Sequence, residues 1–364
     1  MIAASIPIQR PADAKLLVVD AQGEITHHPR RDLAALLNDG DLVIANDAAT
    51  VPASLFGVHL ATAAPVEVRL AGRRSLEGEE MNVFDAIVFG AGDYRTRTEH
   101  RPVPPPLHVG DVMQLVGLRA EIVCVLDHPR FVRLRLAGSP HEIWEALAHS
   151  GRPIQYAHVP SPLAIWDSWT PIAGPPVAFE PPSAGFVLDW NTLQSLRERG
   201  VRFATITHAA GISSTGDPQL DRRLPLDEPY RIPATTAAMI RDCRVRTGRV
   251  IAIGTTVVRA LEHAAAEDGF VRVGFGTATQ EIGAATTLKV VDAIVSGTHE
   301  PCTSHYELLR AFVDDEILRR VDLELERENY KTHEFGDSIL VARSKDVESV
   351  TRCRFRNTPD PSRL

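Results

Sequence analysis

The chain has 364 residues, 44% of them hydrophobic and 24% charged, with a formal net charge of -8. These values suit a globular protein of two domains and exclude a collagen, a coiled coil or a largely disordered chain. The acidic balance excludes a strongly basic nucleic-acid binder overall, though not a local basic patch.

No apolar run reaches the ~18–20 residues of a membrane helix. Met1–Pro7 lacks the basic start and apolar core of a secretory signal. Cys124, Cys243, Cys302 and Cys353 lie far apart without a CxxC pair, which argues against a disulfide scaffold or a four-cysteine zinc site. A monomer in a reducing cytoplasm, with no membrane association, is expected.

In chain order, Lys15–Asp20 reads as a buried strand, Ala21–Gly23 as a turn and Asp32–Leu37 as a helix stopped by Gly40. Asp41–Ala45 is a second strand, ending at Asn46-Asp47. From about Val58 to Ala137 short strand-like runs follow closely: Val66–Leu70, Asp85–Phe89, Asp111–Val116, Ala120–Leu126 and Phe131–Leu136. In the last, Val132, Leu134 and Leu136 alternate with Arg133 and Arg135, the period of a half-buried strand. Such spacing predicts a small sheet or barrel, with Pro102–Pro106 as a stiff loop. Arg69, Arg73, Arg74, Arg95, Arg97, Arg101 and Arg119 make this segment a candidate phosphate-contact surface, against the plainer reading of scattered surface arginine.

His141–His149 reads as a helix, and 153–182 as a long ordered crossing loop. Trp144, Trp166, Trp169 and Trp190 lie in or beside it and are expected to pack. Thereafter helices alternate with apolar strands: helix Leu188–Arg199 before Gly200, strand Val201–Thr207, and helix Ala234–Thr247 between Pro233 and Gly248. Next come strand Arg249–Ile253, helix Val257–Ala266, strand Leu288–Val295, and one or two acidic helices in Ser304–Asn329. This alternation implies a largely parallel α/β sheet. The polar tail after Lys345 is expected to fray.

Four constellations are candidates for chemistry. In Arg249–Glu262 a buried strand runs through Gly254-Thr255-Thr256 into a helix, which presents backbone N–H groups and two hydroxyls to a carboxylate, phosphate or nucleoside edge. Simple capping is the competing account. In Thr207–Pro218, His208 ends a strand beside a loop of small residues, where ligands of parallel sheets bind. Such a histidine serves as acid, base or stacking group when it is not structural. Gly297–Glu307 holds His299, Cys302 and His305, whose spacing fits no common zinc pattern, so no metal is expected. Asn46-Asp47 forms either a site or an Asx turn.

Taken together, several segments resemble the S-adenosylmethionine:tRNA ribosyltransferase-isomerases of queuosine biosynthesis. They are Ile44–Gly57, Pro182–Phe186, Thr207–Ser214, Arg249–Glu262, Leu288–Val295, the His299-Glu300-Pro301 loop and Glu334–Leu340, in the family's order. The resemblance implies an α/β fold: a large barrel-like domain formed by 1–57 and 138–364, with a small β-barrel domain, 58–137, inserted. It implies transfer and isomerisation of the ribosyl group of S-adenosylmethionine, the co-substrate, onto 7-aminomethyl-7-deazaguanine in tRNA. Adenine and methionine leave. His208, Asp47 and His299 become candidate catalytic residues. Asn46, Ser183, Gly185, Phe186, Gly211, Ser213, Gly254, Thr255, Thr256, Arg259, Lys289 and Asp292 become candidate substrate contacts.

The chain also departs from the family's pattern. Ala49 and Ser54 stand where the family has arginines, Thr298 and Cys302 where it has phenylalanine and lysine, and Ala285-Thr286-Thr287 where it has an aromatic triplet. Arginine, lysine and aromatics hold phosphate and stack bases. Two other readings therefore stand beside the first: a paralogue with a small-molecule acceptor, and a non-catalytic nucleotide- or RNA-binding protein of the same fold.

Overall fold

The computed structural model describes residues 1–76, 82–301 and 303–344. The polar tail from Lys345 onward lies outside them, as does Cys302.

The chain opens with β1 (Ile2–Ala3), β2 (Lys15–Val19) and β3 (Ile25–Pro29), and a 3-10 helix over Arg30–Leu36. β4 (Leu42–Asn46) and β5 (Ala49–Thr50) follow. Six strands then come in succession: β6 (Ser54–His59), β7 (Ala64–Gly72), β8 (Val83–Phe89), β9 (Val112–Leu115), β10 (Leu118–Val125) and β11 (Phe131–Leu136). They close into a barrel in the order β10-β11-β8-β7-β6-β9. Its first strand starts at Ser54, upstream of the expected boundary at 58. Alternate residues fill its interior, among them Val66, Val68 and Leu70, Ala86 and Val88, and Val132, Leu134 and Leu136.

Three of the seven arginines noted in the barrel segment are buried, so they are not a contact surface. Arg69 and Arg101 both pair with the carboxylate of Glu67, and Arg73 is 5% exposed. Paired charge survives burial where single charge does not.

After the barrel come α1 (Pro140–Ser150), the crossing loop with β12 (Pro176–Ala178), and α2 (Trp190–Glu198). The loop is ordered, and its tryptophans contribute unequally: Trp144 packs against the barrel core, whereas Trp166 and Trp190 are 70% and 75% exposed. Hydrogen bonds also hold it. Gln155 donates to Val159 and Ser161 and accepts from Leu163, and Trp169 Nε1 donates to the Thr50 carbonyl at 2.9 Å.

The remaining elements are β13 (Arg202–His208), α3 (Pro218–Asp221), β14 (Glu228–Ile232), α4 (Ala234–Val245), β15 (Val250–Ile253), α5 (Thr255–Ala264) and β16 (Gly274–Ala278). Then come β17 (Ala293–Gly297), α6 (Ser304–Leu309), α7 (Asp315–Arg327), β18 (Lys331–Thr332) and β19 (Ser338–Ala342). A nine-stranded sheet runs β16-β14-β13-β4-β15-β17-β19-β2-β3. Its centre, β13, β4, β15 and β17, is parallel.

Both faces of that centre are covered. Leu42, Ile44, Val250, Ala252 and Ile294 join a core with α4, α5 and α7. Val43, Ala45, Ile251, Ile253 and Val295 join another with α2 and the 3-10 helix. This is why these strands read as unbroken apolar runs. Among the described residues, no helix is long and apolar enough to cross a membrane.

The strand expected over Leu288–Val295 begins only at Ala293. Leu288, Val290 and Val291 are buried without a neighbouring strand, because the Glu262 carboxylate takes the N–H groups of Lys289, Val290 and Val291 at 2.7–2.9 Å. A carboxylate replaces a strand partner. Glu262→Ala should therefore lower unfolding free energy by about 2–4 kcal/mol, since it orphans three inward N–H groups. Urea denaturation followed by circular dichroism measures this, and a loss under about 0.5 kcal/mol would contradict it.

Candidate active site

Loops that follow parallel strands leave a sheet at its carboxyl edge. Here the loop after β13 supplies Ala210–Ser213, the loop after β15 supplies Gly254–Thr256, and the loop after β17 supplies His299. With Glu180–Ala184 from the crossing loop and the start of α6, they enclose a cavity of about 300 Å³.

Five carboxyl side chains line it, Glu180, Asp221, Glu228, Glu281 and Glu307, against two arginines, Arg222 and Arg259. The cavity is acidic and suits a cationic ligand.

Gly254 turns β15 into α5 with φ 96, a conformation open to glycine and costly for other residues. No side chain caps α5; the Val257 N–H turns back to the Gly254 carbonyl at 3.2 Å, while Thr255 and Thr256, the first two residues of the helix, border the cavity. Arg259, one turn on, is buried. Its guanidinium pairs with Glu228 and donates to the carbonyls of Leu226 (3.2 Å), Ala278 (3.0 Å) and Gln280 (3.3 Å). It lines the cavity, but its N–H groups tie α5 to β14 and β16 rather than standing free. The other Glu228 oxygen accepts the Gly211 N–H at 2.6 Å. Burial raises the Glu228 carboxyl above its ordinary pKa, with Arg259 opposing.

Of the expected residues, Ser183, Gly211, Ser213, Gly254, Thr255, Thr256, Arg259 and His299 line this cavity. Gly185 and Phe186 lie beneath Ser183. A Cβ on Gly185 would stand 2.8 Å from Thr170, and Phe186 stacks on Phe335 at 5.6 Å.

Five expected residues are placed elsewhere. His208 stands behind Glu228, because β13 runs one residue further than predicted and pairs His208 with Tyr230. Its ring is 0% exposed, with Nε2 3.5 Å from Glu228 Oε2. Burial, then the Arg259 charge, lowers its pKa to about 3. Asn46 closes the end of β4, bonding the His208 carbonyl and the N–H groups of His208 and Ala48. Asp47 accepts the Thr205 and Thr207 hydroxyls at 2.8 and 2.7 Å. Lys289 pairs with the exposed Glu267, and Asp292 accepts the Val250 N–H at 2.8 Å. Asn46, Asp47 and Asp292 thus join neighbouring strands, while the Lys289 side chain makes a surface ion pair.

His299 stacks on His305 at 4.4 Å, and burial followed by His305 keeps it well below the usual imidazole range. Cys302, weighed with them as a metal ligand, lies outside the described residues.

Sequence reasoning did not find Glu180, Glu228, Glu281 or Glu307. Glu180 ends a proline-rich run with no motif around it. Burial raises its pKa to about 7, while the Tyr156 hydroxyl donates to it and Ser213 bonds it. Burial and Glu180 push Tyr156 well above its ordinary value.

A polar cavity at the carboxyl edge of a parallel sheet, with an uncapped helix pointing into it, defines an α/β ligand-binding site. The family model described as "Queuosine biosynthesis protein" matches residues 1–341, and the chain belongs to that family. It is 32% identical to an S-adenosylmethionine:tRNA ribosyltransferase-isomerase from Sorangium cellulosum, over 93% of this chain and 94% of that one. A protein of the same name from Thiobacillus denitrificans is 31% identical over 91% of both chains. A crystal structure of S-adenosylmethionine tRNA ribosyltransferase from Thermotoga maritima matches with a TM-score of 0.49 and 21% identity, over 93% of this chain and 96% of that one.

Glu180 makes stability depend on pH. Its folded pKa, about 7, lies above the 4.5 of an ordinary glutamate, so the folded state holds a proton that the unfolded chain releases between those values. That contribution is complete below the unfolded pKa and is lost as pH rises through 7. Relative to wild type, Glu180→Gln should gain on the order of 3 kcal/mol between pH 5 and pH 8. Denaturation midpoints of both proteins across that range test this, and parallel profiles would contradict it.

Proposed function

We propose that the protein transfers and isomerises the ribosyl group of S-adenosylmethionine onto 7-aminomethyl-7-deazaguanine in tRNA, with release of adenine and methionine, in the cytoplasm. The observation that carries this reading is the acidic cavity at the Gly254–Thr256 turn, in a chain matched by the family over residues 1–341. The relatives' names supply the reaction, and the cavity supplies chemistry that suits it.

A sulfonium cation is favoured among carboxylates such as Asp221, Glu281 and Glu307. The methionine carboxylate finds an uncapped helix N-terminus at Thr255 and Thr256. Sugar rearrangement requires removal of a carbon-bound proton. A carboxyl that titrates near neutrality, as Glu180 does, takes up and returns protons at working pH. Glu228 is set by Arg259 and Gly211, with His208 behind it, and we assign His208 to positioning rather than proton transfer.

The test is incubation with S-adenosylmethionine, with and without tRNA bearing the 7-aminomethyl-7-deazaguanine base, while adenine and methionine are quantified. Release only with that tRNA is expected. Release without it would replace the tRNA reading with another acceptor. The double variant Thr255→Val/Thr256→Val should lower kcat/KM for S-adenosylmethionine about tenfold, equal to roughly 1.4 kcal/mol of lost hydrogen bonding. Unchanged kcat/KM would remove these hydroxyls from the site.

A further inference from the structure

Beside the cavity, across Glu180, lies a second cluster that the proposed reaction does not use. His158 comes from the crossing loop, and His333 and Glu334 from the turn between β18 and β19. One ring nitrogen of each histidine and one carboxylate oxygen of Glu334 all lie within 4.8 Å of one another. His158 Nε2 is 2.9 Å from Glu334 Oε2, and the two imidazoles stack at 4.3 Å with 18° between their planes, so one ring must turn about its Cβ–Cγ bond for both to reach one ion. His333 has φ 69, a sparsely populated conformation for a residue with a side chain. Strain of this kind persists where surrounding structure imposes it, and it gathers at ligand sites. Phe335, stacked on Phe186, anchors the turn from below. A void of about 10 Å³, lined by His158, Glu334, Glu180 and Tyr156 but not by His333, lies beside the trio and offers the space of about one water.

We propose that His158, His333 and Glu334 bind one divalent ion of the zinc class. Two imidazoles and a carboxylate are a donor set of open zinc sites, with water as the fourth ligand. Calcium and magnesium prefer oxygen donors and fit this set poorly. The site is separate from the sequence-level trio of His299, Cys302 and His305, and it runs against the expectation of no metal. It joins the crossing loop, which carries Glu180, to the β18–β19 turn. A bound ion therefore fixes one wall of the cavity.

The test uses the full chain, stripped with a chelator and titrated with zinc chloride by calorimetry and with cobalt chloride by visible absorption. One ion per chain is expected, with micromolar or tighter affinity and the d–d bands of a four-coordinate cobalt site. His158→Ala and Glu334→Gln should each weaken binding at least about tenfold, with circular dichroism unchanged, while His305→Ala leaves it as in wild type. Absence of saturable binding by the folded wild type, or wild-type affinity in both ligand variants, would overturn the site and leave a hydrogen-bonded histidine–glutamate pair.

Discussion

Parallel pairing of β13, β4, β15 and β17 is the constraint on which the rest of the molecule depends. Parallel neighbours must all leave the sheet at one edge, and the chain must return over a face before pairing again. The returns are α2, α4 and α5, whose apolar residues cover the sheet. The departures are the loops at Ala210–Ser213, Gly254–Thr256 and His299. Residues far apart in sequence thus meet because their strands end at one level. The loop after β4 is the exception, since Asn46 and Asp47 are used up in joining it to β13.

Electrostatics decides what such an edge can hold. A carboxylate in low dielectric must be paired, hydrogen-bonded or protonated. Glu228 takes the first two courses, through Arg259 and the Gly211 N–H. Glu180 takes the third, with Tyr156 and Ser213 bonding it. Arg259 neutralises Glu228, so the acidic character of the cavity rests on the other carboxyl groups that line it, Asp221, Glu281 and Glu307. The same rule operates inside the barrel, where Glu67 neutralises Arg69 and Arg101.

The barrel also bears on the site. A Cβ on Gly211 would stand 2.8 Å from the Ala71 carbonyl oxygen on β7, so the cavity loop rests directly on a barrel strand. The crossing loop makes the second connection. Its strand β12 pairs in parallel with β5, just ahead of the barrel, and leads straight to Glu180. Movement of the barrel would therefore be felt at two walls of the cavity.

The local signals were strong where the physics is local. Apolar runs marked β2, β4, β13 and β15, strict alternation marked β11, and Gly254 marked the turn into α5, because burial on two faces, burial on one face and a positive φ each leave their own trace. The motifs in their order also identified the family. The antiparallel strand β14, with Pro229 inside it, left no such trace. Nor did the replacement of a strand by Glu262, the shift of His208 from loop to ladder, or the meeting of Glu180, Glu228 and Arg259. Those depend on which chain segment lies opposite, and a carboxylate's partner, burial and proton are properties of the tertiary structure alone.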